Sequence, residues 1–321
     1  MIKRHHQILA GILIAQIVLT AIVFWPRPST AGQAELLFAD LEVGDVTVLK
    51  IEDAEGNVVT LEQVTGEWVL PEADEYPANT DEVNSFLESL AALSTGRLVT
   101  RSDTSHRRLQ VSPREFGRRI SFETRTGVEH TLFLGSSPQY GAVHVRVEGQ
   151  SETYLTDEVS TFDAAATPSA WIDTTYQSVA QADVKRVTLE NANGTFVFEK
   201  DDEEHWMMAD LGEGEMLDEA QVTAVVRRAS SVSMKRPLGK EERPSYGMDD
   251  PSALVTLETD EGTVTLRVGA RDADDASYVV KSSESDYYVA VAETSVQALV
   301  ENGRDAFLQE PPTPEGESSD S

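Results

Sequence analysis

The chain has 321 residues, of which 40% are hydrophobic and 26% are charged, a balance typical of a folded protein with room for two ordinary domains. Its formal net charge of -30 and its pI near 4.4 argue against binding to nucleic acid or to an anionic bilayer, because both require a basic surface. The absence of cysteine excludes disulfides, thiolate metal sites and cysteine nucleophiles. Cations, basic proteins and neutral surfaces are therefore the expected partners.

The N-terminal segment carries an uncharged apolar run over residues 8–25. As a helix it would be about 27 Å long, close to the roughly 30 Å of a bilayer's hydrocarbon core. Lys3 and Arg4 precede the run and Arg27 follows it, a bias that keeps the N-terminus in the cytoplasm. We therefore predict a single-pass protein of the cytoplasmic (inner) membrane, with a cytoplasmic stub (1–7), a transmembrane anchor (8–25), a linker (26–37) and the remaining chain outside the cytoplasm.

A cleaved signal peptide is the competing interpretation of the same segment. Ser29, Thr30 and Ala31 provide small residues at suitable positions for cleavage. However, the apolar run has 18 residues, longer than the 7 to 15 that are usual in a signal peptide. The length favours the anchor.

The remaining sequence repeats itself. An offset of about 138 residues relates Asp45–Glu52 to Asp183–Glu190, and it also relates Trp68 to Trp206. A constant offset of this kind is typical of a duplicated unit. We predict two tandem homologous modules, over residues 38–175 and 176–308, followed by a disordered acidic tail (309–321).

Each module is predicted to be a mostly antiparallel sheet with one main amphipathic helix, which is an α+β fold. A hairpin with its turn at residues 53–57 opens the first module, and Glu67–Leu70 adds a strand in which Trp68 is a core residue. Further short antiparallel strands follow each helix. Gly135 and Gly269 each come after such a strand, and their repetition predicts that one kind of turn closes both.

The two helices have start signals and apolar stripes. Asn79, with Glu82 three residues on, is predicted to cap the first helix, and Gly96 is predicted to end it. Asp218, with Gln221 three residues on, is predicted to cap the second helix. Acidic residues precede each helix and basic residues follow it, signs that suit the helix dipole.

No catalytic, cofactor-binding or metal-binding residue is predicted. The histidines of the body are scattered, so no zinc spacing such as His-Glu-x-x-His occurs, and there is no phosphate loop or Gly-x-Ser-x-Gly elbow. Carboxylates are too abundant for a catalytic pair to be singled out. The sequence therefore favours a protein without enzymatic activity.

One basic island stands out in this acidic chain, and it supplies the candidate partner-binding residues. They are Arg107, Arg108, Arg114, Arg118 and Arg119. Guanidinium groups suit carboxylate or phosphate partners, and this island has no purely basic equivalent in the second module. The alternative is that these arginines pair with the protein's own excess of acids, each exposed pair contributing about 0 to 1 kcal/mol.

The repeated Asp45–Glu52 opening, the tryptophan strands, the Tyr246–Pro251 step and the Pro168–Ile172 closure resemble a bacterial family of unknown function. The resemblance covers nearly all of residues 36–308. The first module departs from the family step at Leu109–Pro113, which has serine in place of the expected acid. The resemblance implies a single-span protein often encoded beside a gliding-motility type of ABC transporter, and it implies no reaction.

The leading functional hypothesis is a membrane-anchored extracytoplasmic accessory or interaction protein, held in the membrane by residues 8–25 and associated with ABC transporter subunits. A module that binds envelope glycan or a cation is the alternative, and an envelope hydrolase is a third. A hydrolase would require two carboxyl groups about 5 to 10 Å apart in a cleft. The oligomeric state is left open by the sequence.

Overall fold

The computed structural model describes residues 34–309 and the single residue Gln16. The predicted stub, the predicted anchor apart from Gln16, most of the predicted linker and the tail beyond Gln309 lie outside the described residues. Within 34–309 the fold is α+β, with mostly antiparallel sheets and three helices. None of the helices in this range is long and apolar enough to cross a membrane.

The first module contains a nine-stranded antiparallel sheet in the order β4-β3-β2-β1-β8-β9-β10-β11-β5. A separate hairpin, β6 and β7, lies in the connection between β5 and β8. The strands are β1 (Val46–Asp53), β2 (Val58–Val64), β3 (Glu67–Leu70), β4 (Tyr76–Pro77), β5 (Leu98–Thr100), β6 (Val111–Ser112), β7 (Glu115–Phe116), β8 (Arg118–Thr124), β9 (Glu129–Leu134), β10 (Val143–Val147) and β11 (Thr153–Thr156).

The second module contains an eight-stranded antiparallel sheet in the order β15-β14-β13-β18-β19-β20-β21-β17. The strands β12 and β16 form a separate pair. The strands are β12 (Thr175–Ser178), β13 (Val184–Asn191), β14 (Gly194–Lys200), β15 (Trp206–Met208), β16 (Ser231–Ser233), β17 (Arg236–Gly239), β18 (Ala253–Thr259), β19 (Gly262–Asp272), β20 (Ser277–Ser282) and β21 (Tyr288–Ala292).

The two sheets are connected in the same way. In each, the opening hairpin lies beside the strand that follows the long connection, β8 or β18. A short strand between the helix and that connection, β5 or β17, forms the far edge. The central strands also share an irregularity, since the register shifts between Val46 and Val48 in β1 and between Val184 and Arg186 in β13. The first sheet differs by one additional edge strand, β4.

Helix α1 (Thr80–Ala91) begins as the sequence predicts. The Asn79 side chain accepts a hydrogen bond from the backbone N–H of Glu82, at 3.3 Å. The predicted end at Gly96 is wrong, because the helix stops at Ala91. Leu93 is buried outside the helix, and its carbonyl accepts from the N–H of Leu37 at 2.7 Å, so pairing with the incoming chain replaces another helical turn.

Helix α2 (Glu219–Ser230) is capped by Asp218, but the bond goes to the N–H of Ala220 and not to Gln221 as the predicted box requires. Helix α3 (Glu293–Glu301) was not predicted. The residue before it, Ala292, supplies no side-chain cap, so the helix has no start signal in the sequence. The second module thus has two helices, and the first has an irregular segment where α3 would lie.

Buried aromatic side chains close the core of each module. Trp68 and Trp206 are both buried, as predicted, and Trp68 Nε1 donates to Asn84 at 3.2 Å. Trp171 and Phe307 are buried at the ends of the modules. Their carbonyls accept from the N–H groups of the two helix-capping residues, at 2.7 Å and 2.8 Å.

Gly135 and Gly269 share a close approach rather than a turn. Gly269 lies inside β19, so the prediction that one turn closes both strands is wrong for the second module. A Cβ on Gly135 would collide with the carbonyl oxygen of Leu109, and one on Gly269 with that of Tyr246. Each glycine lets the preceding connection pass directly over the sheet.

The modules contact one another through the turn after β3 and the edge strand β17. Asp74 Oδ2 accepts from the backbone N–H of Lys240 at 2.5 Å, and the Tyr287 hydroxyl donates to the Asp74 carbonyl at 3.3 Å. The rings of Tyr76 and Tyr287 meet edge to face, with centroids 4.7 Å apart. One continuous hydrophobic cluster runs through both modules.

Candidate functional site: an arginine-lined depression

The candidate site is built on the arginine connection, which we define as residues 101–117 between β5 and β8. This segment crosses the face of the first sheet that is turned away from α1. Leu109 and Val111 pack against Phe133 of β9, and the carbonyl of Leu109 accepts from the N–H of Ser136 at 2.9 Å. The connection is therefore fixed to the sheet by apolar and polar contacts.

A buried arginine beneath the connection strengthens this attachment. Arg146 of β10 donates from Nε to the Val111 carbonyl at 2.6 Å and from Nη1 to the Gln150 carbonyl at 3.0 Å. Its guanidinium lies 4.8 Å from the centroid of the Phe133 ring. Burial lowers the pKa of Arg146, and the charges of Glu148 and Asp103 oppose that effect. Arg146 is thus a structural cation that supports the connection from inside.

The β6–β7 hairpin presents Arg114 at the surface. The Ser112 hydroxyl donates to the Glu115 carbonyl and accepts from the Glu115 N–H, at 3.2 Å and 3.0 Å, which closes the turn around Pro113 and Arg114. Gln110, with φ of 56°, is left-handed and turns the chain into the hairpin. Both features are local, and they fix the direction in which the hairpin leaves the sheet.

Three of the five predicted arginines surround one surface depression of about 500 Å³. They are Arg107, Arg108 and Arg114. Phe116 contributes an apolar wall, and Ala54, from the turn after β1, contributes another part of the lining. We call this feature the arginine depression.

The arginines of the depression differ in how they are neutralised. Arg107 Nε lies 3.3 Å from Glu115 Oε1, with both side chains largely exposed. Arg108 and Arg114 are exposed, and neither forms an ion pair with any carboxylate of residues 34–309. Two of the three positive charges that line the depression thus have no carboxylate within ion-pair distance among residues 34–309.

Arg118 and Arg119 lie apart from the depression, on β8, and are bound to groups of the protein. Arg118 Nε donates to the Ala164 carbonyl at 2.7 Å, and Arg119 Nε donates to Glu52 Oε2 at 3.1 Å. Burial would raise the pKa of Asp53, but hydrogen bonds from Asn57 and Glu55 and the charge of Arg118 outweigh it and lower that pKa. These two arginines therefore act within the fold.

Two exposed aromatic residues at the same end of the sheet were missed from the sequence. Tyr140 lies in the loop before β10 and Phe162 in the segment after β11, and both side chains are almost fully exposed. These strands are neighbours, with Val143 paired to Thr156, so the two loops leave the sheet side by side. Both lie in loops whose sequences show no apolar periodicity, and an aromatic residue in such a loop was the signal by which they could have been found.

The depression has the chemistry of an anion-binding surface. Guanidinium groups offer planar pairs of donors that match carboxylate and phosphate oxygens. Phe116 lies against the Arg119 guanidinium, 5.1 Å from the ring centroid, so its ring is held in place. The buried histidines of this module are engaged elsewhere: His106 Nε2 lies 3.0 Å from the Ser151 carbonyl and His144 Nδ1 lies 2.7 Å from the Ser136 carbonyl.

The fold and the site together define an α+β protein with two large antiparallel sheets and an arginine-lined surface on the first. The family model described as "Domain of unknown function (DUF4340)" matches residues 68–228, about half of the chain, and the chain belongs to that family. The match extends from β3 into α2 and includes the whole arginine connection. No curated protein and no solved structure matches the chain.

Proposed function

We propose that this chain is a membrane-anchored extracytoplasmic interaction protein without catalytic activity, and that it works beside an ABC-type transporter. Residues 8–25 would hold it in the cytoplasmic membrane, and the arginine depression would bind a carboxylate-rich segment of a transporter subunit. The observation that carries the proposal is the pair of exposed arginines, Arg108 and Arg114, without a carboxylate partner among residues 34–309.

Electrostatics support an acidic segment as the occupant. Arg108 and Arg114 have no carboxylate partner among residues 34–309 and, unlike the similarly unpaired Arg125 and Arg227, they line the same depression. Arginine pairs with a carboxylate through two parallel hydrogen bonds, which fixes the orientation of the bound segment as well as its charge. Phe116 adds apolar area beside the charges, a combination common at protein interfaces.

The position of the depression favours a protein over a lipid surface. The first described residues lie at the end of the sheet where β1 begins. Ala54 of the depression lies at the opposite end, just after the last residue of β1. Eight residues of β-strand separate the two ends by about 26 Å. The net charge of -30 also opposes contact between the body and anionic lipids.

We further propose that the two modules arose by duplication. The shared strand order, the shared register shift in the central strand and the two equivalent glycine approaches support a common origin. A duplicated pair frees one copy to change its surface while the other keeps its original contacts. The arginine connection would then be a feature that belongs to the first module alone.

The proposal is tested by capture of the full chain, with its neighbours, from solubilised native membranes. The wild-type chain should retain a transporter subunit, and the double variant R108E/R114E should lose it, because both unpaired positive charges become negative. The matched control is R125E/R227E, which makes the same charge change at two exposed arginines outside the depression. Equal capture by wild type and R108E/R114E, or equal loss in the control, contradicts the proposal.

A further inference from the structure

The contact between the two modules uses two surface elements, and each module carries both. The first element is the turn between the third strand and the helix, which is residues 71–75 in module one and 209–215 in module two. We call these the first and second acidic turns. The second element is the edge strand that follows the helix, which is β5 in module one and β17 in module two.

Within one chain the first acidic turn covers β17. Pro237 and Gly239 of β17 are buried. Gly239, at φ of 100°, lies against the Asp74 carboxylate so closely that a Cβ would stand 2.5 Å from Oδ2. Asp74 and Glu75 are themselves left-handed, with φ of 52° and 59°, a strained state that persists where surrounding contacts hold it.

The remaining two elements, β5 and the second acidic turn, are uncovered and have exposed apolar side chains on or beside them. In β5, Leu98 and Val99 are 41% and 43% exposed, although this strand is the edge of a nine-stranded sheet. Beside the second acidic turn, Met207 and Met216 are 53% and 62% exposed. An open edge strand with apolar side chains is a site for pairing with another chain, and natural proteins usually cover it.

The second acidic turn is held rigidly. Arg304 donates from Nη2 to Glu215 Oε2 at 2.5 Å and to the Asp210 carbonyl at 2.7 Å. The N–H of Gly212 also donates to Glu215 Oε2, at 2.7 Å. The exposure of Met207 and Met216 is therefore a property of an ordered surface.

The charges of the uncovered elements are complementary. Arg97 and Arg101 flank β5, and their distances to Asp157 and Glu152 are 3.6 Å and 3.5 Å between exposed side chains. Such exposed pairs are weak and exchange readily for other partners. The second acidic turn supplies Asp210, Glu213 and Glu215. At the covered contact the Asp74 carboxylate accepts from the backbone N–H of Lys240, and the Lys240 ammonium lies over the Tyr287 ring.

From this arrangement we propose that copies of the chain associate head to tail, with the second acidic turn of one copy on β5 of the next. The contact would repeat the one already made between the modules. Because the two surfaces differ, the interface is heterologous, and it extends to more than two copies unless a ring closes. The interface does not involve the arginine depression, so its failure and that of the proposed function are separable.

Disulfide trapping tests the proposal cleanly because the chain has no cysteine. In the full membrane-bound chain, mild oxidation of V99C mixed with M216C should give a cross-linked dimer, and the double variant V99C/M216C should give a ladder beyond the dimer. Each single variant alone should give little product. The control V128C/M216C places one thiol at an exposed valine of the β8–β9 turn and should give only background.

Three outcomes overturn the proposal. They are absence of the mixed dimer, equal yield from the control, and efficient dimerisation of V99C alone, which would indicate a symmetric contact. Adding R97E/R101E to V99C/M216C should lower the ladder yield several-fold, while R108E/R114E should leave it unchanged. Circular dichroism melting of each variant verifies that the chain remains folded.

Discussion

The arginine connection of the first module and its counterpart in the second, residues 240–252, perform the same structural task with different surfaces. Each connection passes closely over a glycine and buries apolar side chains between itself and the outer face of the sheet. Beneath the first connection, the Arg146 guanidinium donates to the Val111 carbonyl of the connection itself. The matching cation of the second sheet, Lys281, donates to the Ser282 and Ser285 carbonyls and lies over the Tyr288 ring, on which Tyr246 and Met248 pack. Both modules thus place a cation beneath the connection, and that of the first also bonds to the connection directly.

The exposed sides of the two connections differ in charge. The first carries Arg107, Arg108 and Arg114 with a single carboxylate partner. The second mixes basic and acidic residues, and its Glu242 accepts a hydrogen bond from the Tyr288 hydroxyl at 2.7 Å. Burial, that hydrogen bond and the Glu242 charge raise the pKa of Tyr288 to about 12. The shared contacts therefore hold each connection on its sheet, whereas the exposed charges differ between the modules.

The glycine approaches give the largest expected effect. G135A and G269A should each reduce the free energy of unfolding by about 3 kcal/mol, because a methyl group would force the connection off the sheet. A Cβ at these positions would also lie 2.7 Å from Val111 Cγ1 and 2.8 Å from Met248 Cε, respectively. Urea unfolding of the full chain, monitored by tryptophan fluorescence, measures both changes.

Gly44 provides the matched control, because a Cβ there meets nothing within 4 Å. G44A should change the free energy of unfolding by no more than about 0.5 kcal/mol. If either G135A or G269A is as stable as G44A, the connections are not held against the sheet as described. A large loss of stability at only one of the two glycines would mean that the modules share their topology but not this close approach.

Arg146 gives a smaller effect that is specific to the first module. R146M should reduce the free energy of unfolding by about 2 kcal/mol, because the buried carbonyl of Val111 would lose its donor. R267M, at an exposed arginine of β19, is the control and should be nearly neutral. Equal melting of the two variants would mean that Arg146 does not support the connection.

Much of the fold could be predicted because its signals are local. The opening hairpin, the buried Trp68 and Trp206 and the cap at Asn79 depend on residues within a few positions of one another. Helix α3 was missed because it lacks a capping side chain, and the end of α1 was misplaced because Leu93 pairs with residues distant in sequence. Tertiary contacts overrode local preference in both cases.

The candidate site was predictable only in part. The arginine-rich segment is visible in the sequence, and Arg107, Arg108 and Arg114 do come together. That Arg118 and Arg119 are engaged by Ala164 and Glu52 follows from sheet pairing across long sequence separations. No local pattern specifies Ala54 or Phe116 as lining residues, since the strand order brings them there.

We propose that the first connection, and not the second, contacts a partner protein. A photo-crosslinking amino acid at Pro113, beside Arg114, and the same residue at Asp250, the matching exposed position of the second connection, test it directly in native membranes. We expect ultraviolet irradiation to join position 113 to a transporter subunit and to give no such adduct from position 250. Equal adducts from both positions, or no protein adduct from position 113, would contradict the account.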